Sequence, residues 1–118
     1  MKARETTINV KDLVGSDFAL SADSGDFVFT AIDGALRDGG RVVLDFDGLD
    51  NATTVFLNAA IGRLYGSYDA ERLRERVSVA NANDLVARMF RLVTRNAKRY
   101  FEDRKAAEER DDLMLSDA

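Results

Sequence analysis

Cysteine and histidine are both missing from this 118-residue sequence. Without Cys, the chain has no disulfides, thiolate nucleophiles or sulfur metal ligands, and it suits a reducing compartment. Without His, it lacks the commonest general base near neutral pH and the commonest metal ligand. These absences exclude Ser-His and Cys-His catalysis, and they leave carboxylates, Lys, Tyr or an oxygen-ligated Mg²⁺ as the remaining chemistry.

Long apolar runs are missing as well. No stretch reaches the roughly 18 residues that a membrane-spanning helix needs, and no apolar core follows the charged start of the chain. We therefore expect a cytoplasmic protein that has neither a membrane span nor an export signal. The net charge of −4 gives no basic signature, so nucleic acid is not an expected partner.

Length and composition predict one domain. Apolar residues make up 46% of the chain and charged residues 32%, which suits a modest core under a hydrated surface. The end of the chain is mostly charged, with Leu113-Met114-Leu115 as its only apolar cluster. We assign residues 1–104 to the domain and residues 105–118 to a charged tail that is mobile unless a partner holds it.

Strand patterns recur along the chain. Residues 6–10 alternate polar and β-branched side chains, as a half-buried strand does. Residues 41–46 are nearly all apolar, which predicts a central strand covered by helices on both faces. Residues 77–80 form a further strand, whereas residues 18–20 fit either a short pairing strand or a buried loop.

Helix patterns separate these strands. The first helix is predicted from Asp26, with Ser24 as its cap and Gly39 after its end. The second follows a loop rich in capping residues, and a short polar helix over residues 69–76 comes next. The apolar spacing of the second helix is carried by Leu57, Ala60, Ile61 and Leu64.

A long third helix completes the pattern. Asn81 or Asn83 caps its start. Its buried stripe is predicted to contain Val86, Met89, Val93, Ala97 and Tyr100. The alternation of elements predicts an α/β layer fold, with a mostly parallel or mixed sheet of about four strands packed by three or four helices.

Residues 42–49 and 53–58 carry a family resemblance. They combine a strand ending in Asp-Phe, a Gly-hydrophobic turn, and a hydroxyl-rich helix entry with Phe near its start. This pattern resembles the STAS-like family of unknown function, and the order of elements from Ile8 to about Tyr100 is similar to that family. The resemblance implies a small STAS-like fold.

The better-known relatives are the STAS anti-sigma factor antagonists, in which a partner kinase phosphorylates a Ser or Thr at the start of the corresponding helix. The resemblance places Thr54, or else Thr53, at that position, and it implies a partner such as a histidine-kinase-like ATPase. A phosphate would meet the unpaired N–H groups of the helix start. Alternatively, both threonines serve only as helix caps.

The second helix and its entry loop are the predicted docking surface for a partner protein. The residues predicted to contact the partner are five polar residues and one aromatic residue. The predicted partner-binding residues are Asp50, Asn51, Thr53, Thr54, Phe56 and Asn58.

Asp45-Phe46-Asp47-Gly48 also resembles the nucleophile motif of haloacid-dehalogenase-type phosphatases. Leu49 stands where those enzymes usually carry Thr, and the chain has about half of the length that their fold needs. Turn-forming aspartates are the other interpretation. We predict no catalytic residue, no metal site and no cofactor.

A basic stripe is predicted along the third helix, opposite its apolar face. The spacing of three or four residues places these cations on one side of the helix, as either a solvated face or a surface that binds phosphates or an acidic partner. The stripe contains Arg88, Arg91, Arg95 and Arg99, with Lys98 beside it.

Three hypotheses about function follow from these patterns. The leading one is a non-catalytic regulatory module that binds another protein and is switched by threonine phosphorylation. The second is a small Mg²⁺-dependent phosphate-ester enzyme that uses Asp45 and Asp47. The third is a phage-related accessory protein that self-associates through Leu113 to Leu115, and a homodimer is left open.

Overall fold

The computed structural model describes the backbone of residues 4–116 and the side chains of residues 4–110. This part of the chain contains five strands, five α-helices and one 3₁₀ helix, Gly62–Gly66. The strands are β1 (Glu5–Asn9), β2 (Phe18–Ala19), β3 (Arg41–Asp45), β4 (Asn51–Ala52) and β5 (Val77–Ala80). The α-helices are α1 (Val10–Val14), α2 (Ala22–Arg37), α3 (Thr54–Ala60), α4 (Ala70–Arg76) and α5 (Asp84–Ser116).

The main sheet is parallel, with the strand order β1-β3-β5. Leu44 pairs with Ile8 on one side and with Val79 on the other, so β3 is the central strand. A second parallel pair joins β2 to β4, which shows that residues 18–20 contain a short strand. The predicted α/β class with a mostly parallel sheet is therefore confirmed.

The described residues cover only one face of the main sheet. Val42 and Leu44 are fully buried, whereas Val43 and Asp45 on the opposite face are half-buried and Thr7 beside them is exposed. The prediction that helices cover the central strand on both faces is therefore wrong. Because β1, β3 and β5 follow one another in one direction, right-handed connections place their helices on the same face.

The core lies between this covered face and the helices. Its fully buried large side chains come from β3, the loop after it, the helices α1, α2, α3 and α5, and the 3₁₀ helix. They are Phe46, Phe56, Ile32, Leu44, Leu57, Leu64, Val10, Val28, Val42 and Val86. Truncating such a side chain to Ala typically costs about 2–5 kcal/mol, so this layer contributes much of the stability.

Helix α2 begins earlier than the sequence predicts. Ser21 is its N-cap and its hydroxyl accepts a hydrogen bond from the Ser24 N–H, so Ser24 lies inside the first turn. Beyond the end of the helix, Gly39 adopts a left-handed backbone with φ of +79°. A Cβ on the following Gly40 would lie 2.7 Å from the Arg4 carbonyl oxygen, so this turn fits tightly against the start of β1.

The second predicted helix is divided in two. Helix α3 ends at Ala60, Ile61 leaves the helical backbone with φ of −130°, and a 3₁₀ helix follows over Gly62–Gly66. The four residues of the predicted apolar spacing are nevertheless buried: Leu57, Ala60, Ile61 and Leu64. The break lets the chain change direction while it keeps these side chains in the core.

The Asn83 side chain caps the start of α5, because its carbonyl oxygen accepts a hydrogen bond from the Val86 N–H. Of its predicted stripe, Val86, Val93 and Ala97 are buried and Met89 is partly buried. Tyr100 is 59% exposed, so its inclusion is wrong. The stripe continues at Phe101, four residues beyond Ala97, where the ring packs against Gly66.

The α5 backbone is helical through Ser116 without a break at Arg104. Whether residues 105–118 are mobile stays a prediction, and the side chains of Leu113 to Leu115 lie outside the described ones. No helix within residues 4–116 is both long enough and apolar enough to span a membrane.

Candidate docking surface

Thr53 joins the start of α3 to the end of β2. Its hydroxyl accepts a hydrogen bond from the Phe56 N–H at 3.1 Å and donates one to the Leu20 carbonyl at 2.8 Å. Its own N–H donates to the Ala19 carbonyl. Thr53 is thus the N-cap of α3, and a phosphate on its hydroxyl would break the cap.

Thr54 is the first residue of α3 and is half-buried. Among the residues that the structure describes, its hydroxyl has no hydrogen-bond partner. Modification of Thr54 would therefore leave the cap of Thr53 intact. Of the two threonines, the geometry favours Thr54 as the position that tolerates added charge.

The remaining predicted docking residues do not all reach the surface. Asp50 and Asn58 are exposed and Asn51 is half-buried, but Phe56 is completely buried. Phe56 points into the core, and α2 approaches it so closely that a Cβ on Gly25 would lie 2.6 Å from the Phe56 carbonyl oxygen. Its inclusion among partner-contacting residues is therefore a mistake, because α3 turns this ring inward.

Three exposed apolar residues beside α3 are not among the residues predicted from the sequence. Phe18 is 50% exposed, Leu20 is 53% exposed and Val55 is 56% exposed. Phe18 and Leu20 flank the buried Ala19, because side chains alternate between the two faces of a strand. That alternation, large apolar residues around a small one, is the signal that sequence reasoning could have used.

These residues and the predicted polar ones lie on adjoining segments of the fold, which together we call the entry surface. The Leu20 carbonyl is bonded to Thr53, and Phe18 pairs with Asn51 in the sheet register. Val55 and Asn58 lie one helical turn apart on the outer side of α3. The entry surface comprises Phe18, Leu20, Asp50, Asn51, Thr53, Thr54, Val55 and Asn58.

Asp45 has a structural role next to the entry surface. Its Oδ1 accepts hydrogen bonds from the Asn81 side chain and from the Asp47 N–H, both at 3.0 Å. The Asn81 bond, followed by the Asp47 bond, lowers the pKa of Asp45. Asn81, which adopts a left-handed backbone with φ of +57°, thereby fastens the end of β5 to the end of β3.

The described side chains contain no cluster of three or more acidic, Cys or His residues arranged to hold a metal ion. Asp45 instead receives two hydrogen bonds from its own fold. The Asp45 carboxylate thus stabilises the turn that follows β3.

The predicted basic stripe is exposed along α5. Within the described part of the chain, none of its members forms an ion pair. The stripe is Arg88, Arg91, Arg95 and Arg99. Its role in binding stays a prediction.

A family model described as the STAS-like domain of unknown function (DUF4325) matches residues 24–87. The chain belongs to this family. The matched span runs from the first turn of α2 to the first turn of α5, and it includes β3 and the whole of α3. No curated protein and no solved structure matches this STAS-like chain.

Proposed function

We propose that this STAS-like protein is a non-catalytic regulatory module that docks on a partner protein through the entry surface. The observation that carries the proposal is the exposure of Phe18, Leu20 and Val55 amid polar side chains of α3 and its entry loop. An exposed apolar cluster with a polar rim is typical of protein interfaces. The family resemblance supports a partner such as a histidine-kinase-like ATPase.

Phosphorylation of Thr54 is the proposed switch. A phosphate would add a charge of about −1.5 to −2 beside Val55. The first N–H groups of α3 would stabilise that charge locally, because they have no partner within the helix. The switch would therefore change partner affinity without unfolding α3.

The two other hypotheses have less support. The hydrogen bonds on Asp45 favour a structural role for this carboxylate over a phosphate-ester enzyme. Self-association through Leu113 to Leu115 depends on side chains outside the described ones. Neither hypothesis is therefore preferred to docking.

Affinity capture from the native host tests the docking function. The parent chain is compared with Val55→Asp, and Tyr100→Ser serves as the matched control. Tyr100 is as exposed as Val55 but lies more than four turns along α5. We expect Val55→Asp to lower retention of the partner roughly tenfold or more, whereas Tyr100→Ser retains it.

Absence of any captured protein, or equal capture by Val55→Asp and the parent, contradicts docking through the entry surface. The switch has its own test, in which the affinities of Thr54→Glu and Thr54→Ala for the captured partner are compared. A difference between these two variants supports the switch. Equal affinity of both variants and the parent contradicts it.

A further inference from the structure

The entry surface is bordered by charges of almost one sign. The three strands of the main sheet run parallel, so the loops that follow them meet at one edge, where carboxylates collect. In the described loops and helix starts at this edge, the carboxylates are Asp12, Asp17, Asp45, Asp47, Asp50 and Asp84. The only cation in the same set of loops and helix starts is Lys11.

Hydrogen bonds hold together the loops that carry several of these carboxylates. The Asp50 N–H donates to the Asp17 carbonyl at 2.8 Å. The Asn83 side chain, at the start of α5, donates to the Asp50 carbonyl at 3.1 Å. The acidic border is therefore a feature of the folded edge and is continuous with the polar part of the entry surface.

Lys11 offsets only a small part of this charge. Its Nζ lies 3.0 Å from Asp17 Oδ1 and forms an ion pair there. The Asp17 hydrogen bond and charge raise the pKa of Lys11, and the charges of Asp50 and Asp12 act in the same direction. One ammonium group is thus shared among at least three carboxylates, and the edge remains negative.

We infer that the partner of the entry surface presents positively charged side chains around an apolar centre. The inference rests on the proposed docking function and adds the chemistry of the partner. The apolar centre would cover Phe18, Leu20 and Val55, and the cations would face the acidic border. Complementary charges of this kind steer association and exclude partners of the wrong sign, such as nucleic acid or an anionic membrane.

The alternative partner for the entry surface is the basic stripe on α5 of a second copy of this chain. It carries four arginines without an ion pair in the described part of the chain, so it also complements the acidic border. An external partner is preferred because the stripe spans about three turns. Among its arginines the apolar Leu92 is half-buried, and the exposed Leu85 lies one turn before Arg88 and not at the centre of the stripe. The test below separates these two occupants.

The experiment is a titration of the full, isotope-labelled chain, followed by backbone amide shifts in nuclear magnetic resonance spectra. One probe is a synthetic amphipathic helical peptide of leucine and lysine, and the other replaces each lysine by glutamate. We expect the lysine peptide to shift signals of the entry surface and to lose roughly tenfold in affinity from low to high salt. The glutamate peptide should cause no shift.

Matched variants separate charge from apolar contact. Asp12 and Asp50 are exposed. Within the described residues, neither side chain accepts a hydrogen bond or forms an ion pair. The double variant Asp12→Asn, Asp50→Asn should therefore leave the fold intact. We expect this double substitution to lower the affinity of the lysine peptide roughly threefold to tenfold. The control, Asp38→Asn with Asp103→Asn, removes the same charge from distant exposed positions and should leave the affinity unchanged.

The outcomes distinguish the inference from the proposed function. If Val55→Ser lowers the affinity of the lysine peptide but the double substitution of Asp12 and Asp50 does not, the docking surface is supported and the inferred charge of the partner is wrong. Shifts outside the entry surface, or no binding of the lysine peptide, overturn the inference. Dilution shifts of the free chain at both the entry surface and Arg88 to Arg99 also overturn it, because a second copy is then the occupant.

Discussion

The Thr53 hydroxyl lies 2.8 Å from the Leu20 carbonyl oxygen and donates a hydrogen bond to it. The Thr53 hydroxyl oxygen also accepts a hydrogen bond from the Phe56 N–H, so one side chain links the end of β2 to the first turn of α3. Leu20 and Val55, the apolar residues on either side of this link, are thereby held in one surface. The geometry of the entry surface depends on this hydroxyl.

Thr53→Val should therefore destabilise the protein. The substitution keeps the shape of the side chain but removes the cap of α3 and the bond to Leu20, which we expect to cost about 1–3 kcal/mol. The free energy of unfolding in urea measures the effect. Thr54→Val is the matched control and should change it by less than about 0.5 kcal/mol, so equal losses in the two variants would refute the role of Thr53.

Two glycines of α2 should respond to Ala in opposite directions. A Cβ on Gly34 meets nothing within 4 Å, so Gly34→Ala should stabilise the helix by about 0.5–1 kcal/mol. A Cβ on Gly25 would lie 2.6 Å from the Phe56 carbonyl oxygen and 2.7 Å from the Ala59 Cβ. Gly25→Ala should therefore force α2 and α3 apart and lower the melting temperature.

Thermal unfolding of both variants checks this pair. A lower melting temperature for Gly34→Ala, or an unchanged one for Gly25→Ala, would show that the packing of α2 on α3 is looser than the structure indicates. The pair also tests the position of Phe56 in the core, because the backbone of that residue is the nearest obstacle to a side chain at Gly25.

Stability should fall in acid partly through Asp45. The hydrogen bonds from Asn81 and Asp47 lower its pKa below the ordinary value of 3.8. Because the pKa is lower in the folded state, the contribution of Asp45 is complete above about 3.8 and is lost as the pH falls through the folded-state pKa. Asp45→Asn should make the free energy of unfolding less dependent on pH in this range.

Urea unfolding between neutral pH and pH 2.5 or so measures this dependence. Some acid sensitivity should remain in Asp45→Asn, since the hydrogen bond from Tyr68 lowers the pKa of Asp33 in the same direction. Identical pH profiles for the parent and Asp45→Asn would mean that the Asn81 bond does not form in solution.

Most elements of the fold follow from local patterns in the sequence. The apolar run of residues 41–46 predicts the central strand β3, and the spacing from Leu57 to Leu64 predicts which side chains of that segment are buried, and both are observed. The start of α2 is missed because Ser21 and Ser24 are both good caps, and only the structure shows which one accepts the bond. The open face beside Val43 follows from strand order, which a local pattern does not contain.

Only the polar half of the candidate site was predicted from the sequence. Thr53 and Thr54 stand out as hydroxyls before an apolar helix, and the structure places them at the start of α3. Exposure of an apolar side chain depends on what packs against it, so the sequence does not distinguish the exposed Val55 from the buried Phe56 next to it. The acidic border likewise depends on parallel strands that bring distant loops to one edge.

Hydrogen–deuterium exchange of the chain, alone and bound to the partner captured from the native host, tests docking most directly. The account predicts that the partner slows exchange in residues 18–20 and 50–58, while the outer face of α5 and the open face of the main sheet are unchanged. Protection confined to α5 or to the open face, with residues 50–58 exchanging as in the free chain, would contradict docking through the entry surface.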